Sequence, residues 1–178
     1  MAAIVFFSLV IIGLLAVVAF GMRSVFFCEF QLPRIARRHS WMYESPPREL
    51  TRRELHILWA CTGDLPTQEL TRVKGAYRGY EFDFLVFEFP TITYDDKGRE
   101  SLDMKTDSTI ELSAHHLPSE FTKWLLKNHG RGPVEMRKGQ LKSRLGEYVA
   151  RRSFIRRLDH MVDIVEDWTN NGDKRRTK

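Results

Sequence analysis

The first 22 residues contain no aspartate, glutamate, lysine or arginine, and Arg23 is the first charged side chain. As a helix, residues 2–22 would be about 30 Å long, the thickness of a bilayer's hydrocarbon core. No basic residue precedes the run, and Phe20-Gly21-Met22-Arg23 is a poor cleavage site, so an uncleaved anchor is expected in place of a removable secretory leader. Cys28 follows Val25-Phe26-Phe27 where a lipoprotein signal needs small residues. Cysteine is scarce: only Cys28 and Cys61 occur, with no C-x-x-C, which excludes a disulfide framework and points to two reduced thiols. The catalytic and phosphate-binding signatures are missing too. There is no G-x-S-x-G, no Walker lysine follows Lys74-Gly75-Ala76-Tyr77-Arg78-Gly79, and Gly130-Arg131-Gly132-Pro133 is not a dinucleotide fingerprint.

What is present begins as an uncleaved anchor. Only the α-amine is charged on its N-terminal side, whereas Arg23, Arg34, Arg37, Arg38, Arg48, Arg52 and Arg53 follow it. The positive-inside rule places the N-terminus outside and residues 23–178 in the cytoplasm. Arg23, Phe26, Phe27, Phe30, Arg34, Arg37, Arg38 and Trp41 form an aromatic–arginine collar expected at the membrane interface, with membrane lipids as its partner. Pro33 is expected to break the helix, leaving residues 31–47 as a surface-skimming basic linker. The formal charge is +5, concentrated beside the anchor and in the tail Lys174-Arg175-Arg176-Thr177-Lys178. No nucleic-acid motif accompanies that charge, so nucleic acid is not an expected partner. Cys28, being juxtamembrane, is a candidate for acylation, although a buried thiol is the simpler reading.

Periodicity supplies the rest. Ser45-Pro46-Pro47 reads as the start of a helix over residues 47–59. Residues 69–77, 80–94 and 99–114 read as strands of a meander, turned at Arg78-Gly79 and at Asp95-Asp96-Lys97-Gly98. Gly75 permits a bulge. Residues 121–126 fit a helix or a strand, and residues 134–137 and 140–145 fit a short hairpin. Phe154, Leu158, Met161, Val165 and Trp168 recur at helical spacing, giving an amphipathic helix over residues 148–169 that Asn170-Asn171-Gly172 should stop. Its charges oppose the helix dipole, with Arg151, Arg152, Arg156 and Arg157 early and Asp159, Asp163, Glu166 and Asp167 late. The four arginines are candidate partner-binding residues; a solvated face is the simpler reading.

The expectation is therefore an α+β protein: a single transmembrane helix, then a small antiparallel sheet closed by a C-terminal helix, an outline shared with pleckstrin-homology-like domains. Its parts are an anchor with interfacial extension (1–30), a linker (31–47), a cytoplasmic domain (48–169) and a basic tail (170–178). Titratable clusters are sparse. His115 and His116 point to opposite faces if on a strand, while Asp159, His160 and Asp163 offer too few ligands for a metal. His56 and Cys61 have no substrate cradle, and a hydrolase would need Asp83, His115, His116 or His160 to converge. No cofactor is expected.

The stretch from Leu70 to Phe84, with Gly75, Gly79 and the Phe82-Asp83-Phe84 step, followed by Leu117-Pro118 and the terminal helix, resembles a pattern in uncharacterised bacterial single-pass membrane-anchored proteins. The resemblance implies an anchored, β-rich cytoplasmic domain and transfers no activity or site residue. The functional expectation is a non-enzymatic accessory or assembly subunit of an integral-membrane complex, with other membrane proteins as partners. The alternative is a lipid- or ligand-sensing module.

Overall fold

The structure, a computed structural model, describes residues 6, 7, 10–13, 18, 22–46, 50–62, 66–113, 117–129, 132–137, 139–147 and 149–176. These form an α+β domain built on a six-stranded antiparallel sheet in the order β1-β2-β3-β4-β6-β5. The strands are β1 (Met42–Glu44), β2 (Gln68–Tyr77), β3 (Tyr80–Tyr94), β4 (Glu100–Ser113), β5 (Val134–Arg137) and β6 (Gln140–Arg144). The helices are α1 (Leu32–Arg38), α2 (Arg52–Thr62), α3 (Ser119–His129) and α4 (Arg151–Arg176). The undecided 121–126 segment is thus helical.

Alternation gives the sheet two unlike faces. Val73, Phe84, Ile110, Ser143 and Val134 form one row across five strands, and Phe82, Leu112 and Leu141 form the row beside it. The apolar members of this face are buried and pack on α4 through Phe154, Leu158, Met161, Val162 and Val165. Phe121 and Trp124 of α3 close one end against Trp168, with ring centroids at 5.5 and 5.4 Å. The other face carries Lys74, Asp83, Glu111 and Lys142 in one cross-strand row. Lys142 reaches Glu111 at 2.7 Å, and Arg72 forks onto Asp83 from the neighbouring row. Such opposite-charge pairs favour this register.

The described residues of the expected linker, 31–46, pack as part of the domain: Leu32, Ala36 and Trp41 lie in its core and residues 42–44 pair in its sheet. Residues 22–38 are helical without interruption, α-helix giving way to one π-turn at Phe27–Gln31 and then to α1. Pro33 fails to break the helix because the π-turn, closed by Leu32 N–H to the Phe27 carbonyl, widens it one turn upstream, where the ring would otherwise press on the carbonyl of residue 29. The helix ends in a Schellman motif. Trp41 N–H bonds to the Ala36 carbonyl at 2.8 Å and Ser40 N–H to that of Arg37 at 3.3 Å, with Ser40 in the left-handed region at φ 56°. The chain then pairs as β1 along the edge of β2.

Three further expectations are corrected. Helix α2 begins at a Thr51–Glu54 capping box, in which Thr51 N–H donates to Glu54 Oε2 at 2.7 Å and Glu54 N–H donates to Thr51 Oγ1 at 3.3 Å; Ser45 instead donates to the Leu70 carbonyl. The bulge in β2 lies between Glu69 and Thr71, not at Gly75. Helix α4 runs through Gly172 to Arg176, because one glycine in a helix costs only about 1 kcal/mol relative to alanine.

Among the described residues no helix is long and apolar enough to cross a membrane. Most of the 2–22 run, which carries the expected anchor, lies outside the described residues. Those of its residues that are described are helical, and Phe6, Phe7, Val10, Ile11, Ile12, Val18 and Met22 are exposed.

Candidate functional site

Arg23 of the collar and three of the four arginines nominated near residue 151 meet in one groove. Ser24 brings them together: its hydroxyl donates to the Glu147 carbonyl at 3.1 Å and accepts Val149 N–H at 3.3 Å, tying the 22–31 helix to the chain just before α4. Phe27 projects from that helix onto Phe154, ring centroids 5.9 Å apart, and fixes its rotation. Between the helix and the first turns of α4 lies a groove of about 580 Å³, lined by Arg23, Phe26, Phe27 and Gln31 on one side and by Arg151, Arg152, Ile155, Arg156 and Asp159 on the other. A smaller hollow of about 280 Å³ continues past Ser24 and Ser153 between Arg23, Arg152 and Arg156.

The electrostatics of the groove are lopsided. Asp159 accepts the Tyr77 hydroxyl at 2.7 Å and lies 3.9 Å from Arg78. Arg78, at the tip of the β2–β3 turn, also reaches Asp163 at 2.7 Å and Glu166 at 2.6 Å. Asp159, Asp163 and Glu166 of α4 are therefore gathered on the Arg78 guanidinium. Arg23, Arg151, Arg152 and Arg156 have no carboxylate within 4.0 Å among the described residues. Arg157 lies apart from the groove, half-buried beside His160.

The remaining collar residues divide by helix face. Phe26, Phe30, Arg34, Arg37 and Arg38 are exposed, with Phe26 and Phe30 in contact at 5.4 Å. Phe27 and Trp41 depart from their expected interfacial position: they are 1% and 7% exposed and belong to the domain core. Trp41 lies against Phe82 and Phe154 and donates its indole N–H to the Ala76 carbonyl at 2.9 Å.

A second cavity, of about 790 Å³, opens on the opposite flank of the 22–31 helix between Cys28, Tyr43, Leu70, Val86, Met104 and Glu147. Burial pushes the Cys28 thiol up to about 11, with Glu29 adding to the rise. Cys28 is therefore a protonated, half-buried thiol at neutral pH, in keeping with the simpler reading of that residue.

The hydrolase arrangement is not assembled by the described members. Asp83 is held by Arg72 on the open sheet face, whereas His160 lies on α4, which covers the other face, with its ring 6.2 Å from that of His129. His115 and His116 lie outside the described residues. Among the described residues no group of three His, Cys, Asp or Glu side chains could hold a metal ion.

Neither a protein-family model, a curated protein nor a solved structure matches this chain.

Proposed function

We propose that this chain is a single-pass membrane protein without catalytic activity, an accessory or assembly subunit of a larger integral-membrane complex, with its N-terminus outside and its domain at the cytoplasmic face. One observation supports this most directly. The 22–38 helix buries Phe27, Leu32 and Ala36 in the domain core while turning Met22, Val25, Phe26 and Phe30 outward. The outward set continues the uncharged run of residues 2–22 and offers an apolar surface to lipid or to another membrane helix. The open sheet face and the strand edges at β1 and β5 are suited to contacts with soluble parts of a partner.

The test is alkaline extraction of membranes, protease treatment of intact cells and purification in mild detergent. The chain should stay in the membrane pellet, its domain should resist external protease, and other membrane proteins should co-purify. Alkaline release or external cleavage of the C-terminal end would overturn the placement, and recovery solely as a monomer would overturn the subunit role. The alternative, a pleckstrin-homology-like headgroup sensor, draws support from the groove's arginines, which have no carboxylate partner among the described residues.

A further inference from the structure

We infer that the groove between the 22–31 helix and the start of α4 binds the phosphate of an anionic phospholipid, the acyl chains lying along the apolar side of the helix. This deepens the headgroup-binding alternative and rests on the membrane placement proposed above.

The charge is in the right place and unspent. Arg23 is the first charged residue after the run, so it falls at headgroup depth for a chain anchored by residues 2–22. Arg151, Arg152 and Arg156 come to the same groove from the other end of the chain. All four lack a carboxylate partner among the described residues, while the single acid of the groove, Asp159, is engaged by Tyr77 and Arg78. Three arginines in the first two turns of a helix also oppose its dipole. The fold thus tolerates a repulsive cluster that an anion would relieve. Guanidinium forks match phosphate oxygens in pairs, which a lysine cluster would not do.

The apolar wall selects a lipid over a free anion. Phe26 is half-exposed beside the arginines and in contact with Phe30, and Ile155 faces it across the groove. Inorganic phosphate would neutralise the arginines and leave this wall wet. A phospholipid covers both, and the groove's 580 Å³ falls within the usual range of small-molecule pockets, about 300–1,000 Å³.

The test uses the full chain in uncharged detergent, titrated with short-chain phosphatidylglycerol and read by thermal midpoint and by native mass spectrometry of retained lipid. Wild type should be stabilised and keep the lipid. R152Q/R156Q should bind at least about tenfold more weakly, and R152K/R156K should fall between them because charge remains and the fork is lost. R99Q/R137Q, which removes the same charge from exposed sites elsewhere, should bind as wild type does. The glutamine pair relieves like-charge crowding, so it should melt no lower than wild type without lipid; if it does melt lower, the lysine pair decides. Equal binding by wild type and the groove variants, equal weakening in R99Q/R137Q, or equal stabilisation by inorganic phosphate would each overturn the inference. Because these measurements are made in detergent, they separate from the placement test: alkaline release defeats the anchor, whereas variant-insensitive binding defeats the groove.

Discussion

Trp41 occupies the space that a side chain at residue 75 would need. A Cβ built on Gly75 overlaps the indole ring, whose N–H is bonded to the next carbonyl along, that of Ala76. The glycine is a packing requirement imposed by a residue 34 positions earlier, and it explains how a strand inside a sheet carries glycine without a bulge.

Gly75→Ala should therefore destabilise the domain by about 1–3 kcal/mol, through a forced shift of the indole. The same change in a Trp41→Leu background should cost much less, because the clash is absent. Denaturant unfolding of the four-member cycle checks this, and additive energies would contradict the account.

Ser40→Gly should stabilise by about 0.5–1 kcal/mol. The residue sits at the left-handed position of the Schellman motif, where a Cβ is strained and glycine is not. Thermal melts of the two proteins, in the same detergent, measure the difference.

Alkylation should discriminate sharply between the thiols. Cys61 is exposed and should react with iodoacetamide in the native protein near neutral pH. Cys28, half-buried and raised to about 11, should react only on unfolding. Peptide mapping after brief labelling reads both sites, and early modification of Cys28 would show that the 790 Å³ cavity admits reagent.

Acid should weaken the fold through His160. Its pKa lies below the ordinary 6.5, mainly because neighbouring groups partly desolvate a ring that remains exposed, with Arg157 and His129 adding repulsion and Asp163 opposing it. The unfolded chain then takes up the proton first, so stability is full above about pH 6.5 and declines as pH falls through the folded value. His160→Asn should lose less melting temperature than wild type between about pH 7.5 and about pH 5.5. A parallel decline in the two proteins would assign the acid sensitivity elsewhere.

The central sheet was legible because strict alternation in Phe82, Phe84 and Val86, with turn residues at Arg78-Gly79 and Asp95–Gly98, leaves little choice of register. Residues 31–46 were not legible as domain. An aromatic residue next to an apolar run has the same sequence signature whether it meets lipid or protein, so Phe27 and Trp41 looked like Phe26 and Phe30. Pro33 looked like a stop because the compensating π-turn has no sequence signal. Half of the groove could be nominated at each end of the chain, but nothing local announces that Ser24 bonds to residues around position 149, 125 residues away. The late acids of α4 likewise gave no sign that the Arg78 turn would fold back onto them.

The unbroken 22–38 helix also has a mechanical meaning. It enters the core through Phe27, Leu32 and Ala36 with no loop between, so the sheet cannot swivel independently of position 22. If residues 2–22 span a bilayer as one rod with this helix, a bilayer thinner than the apolar run tips the rod, and the domain leans with it. Membrane thickness then becomes a steering input for the direction in which the open sheet face points.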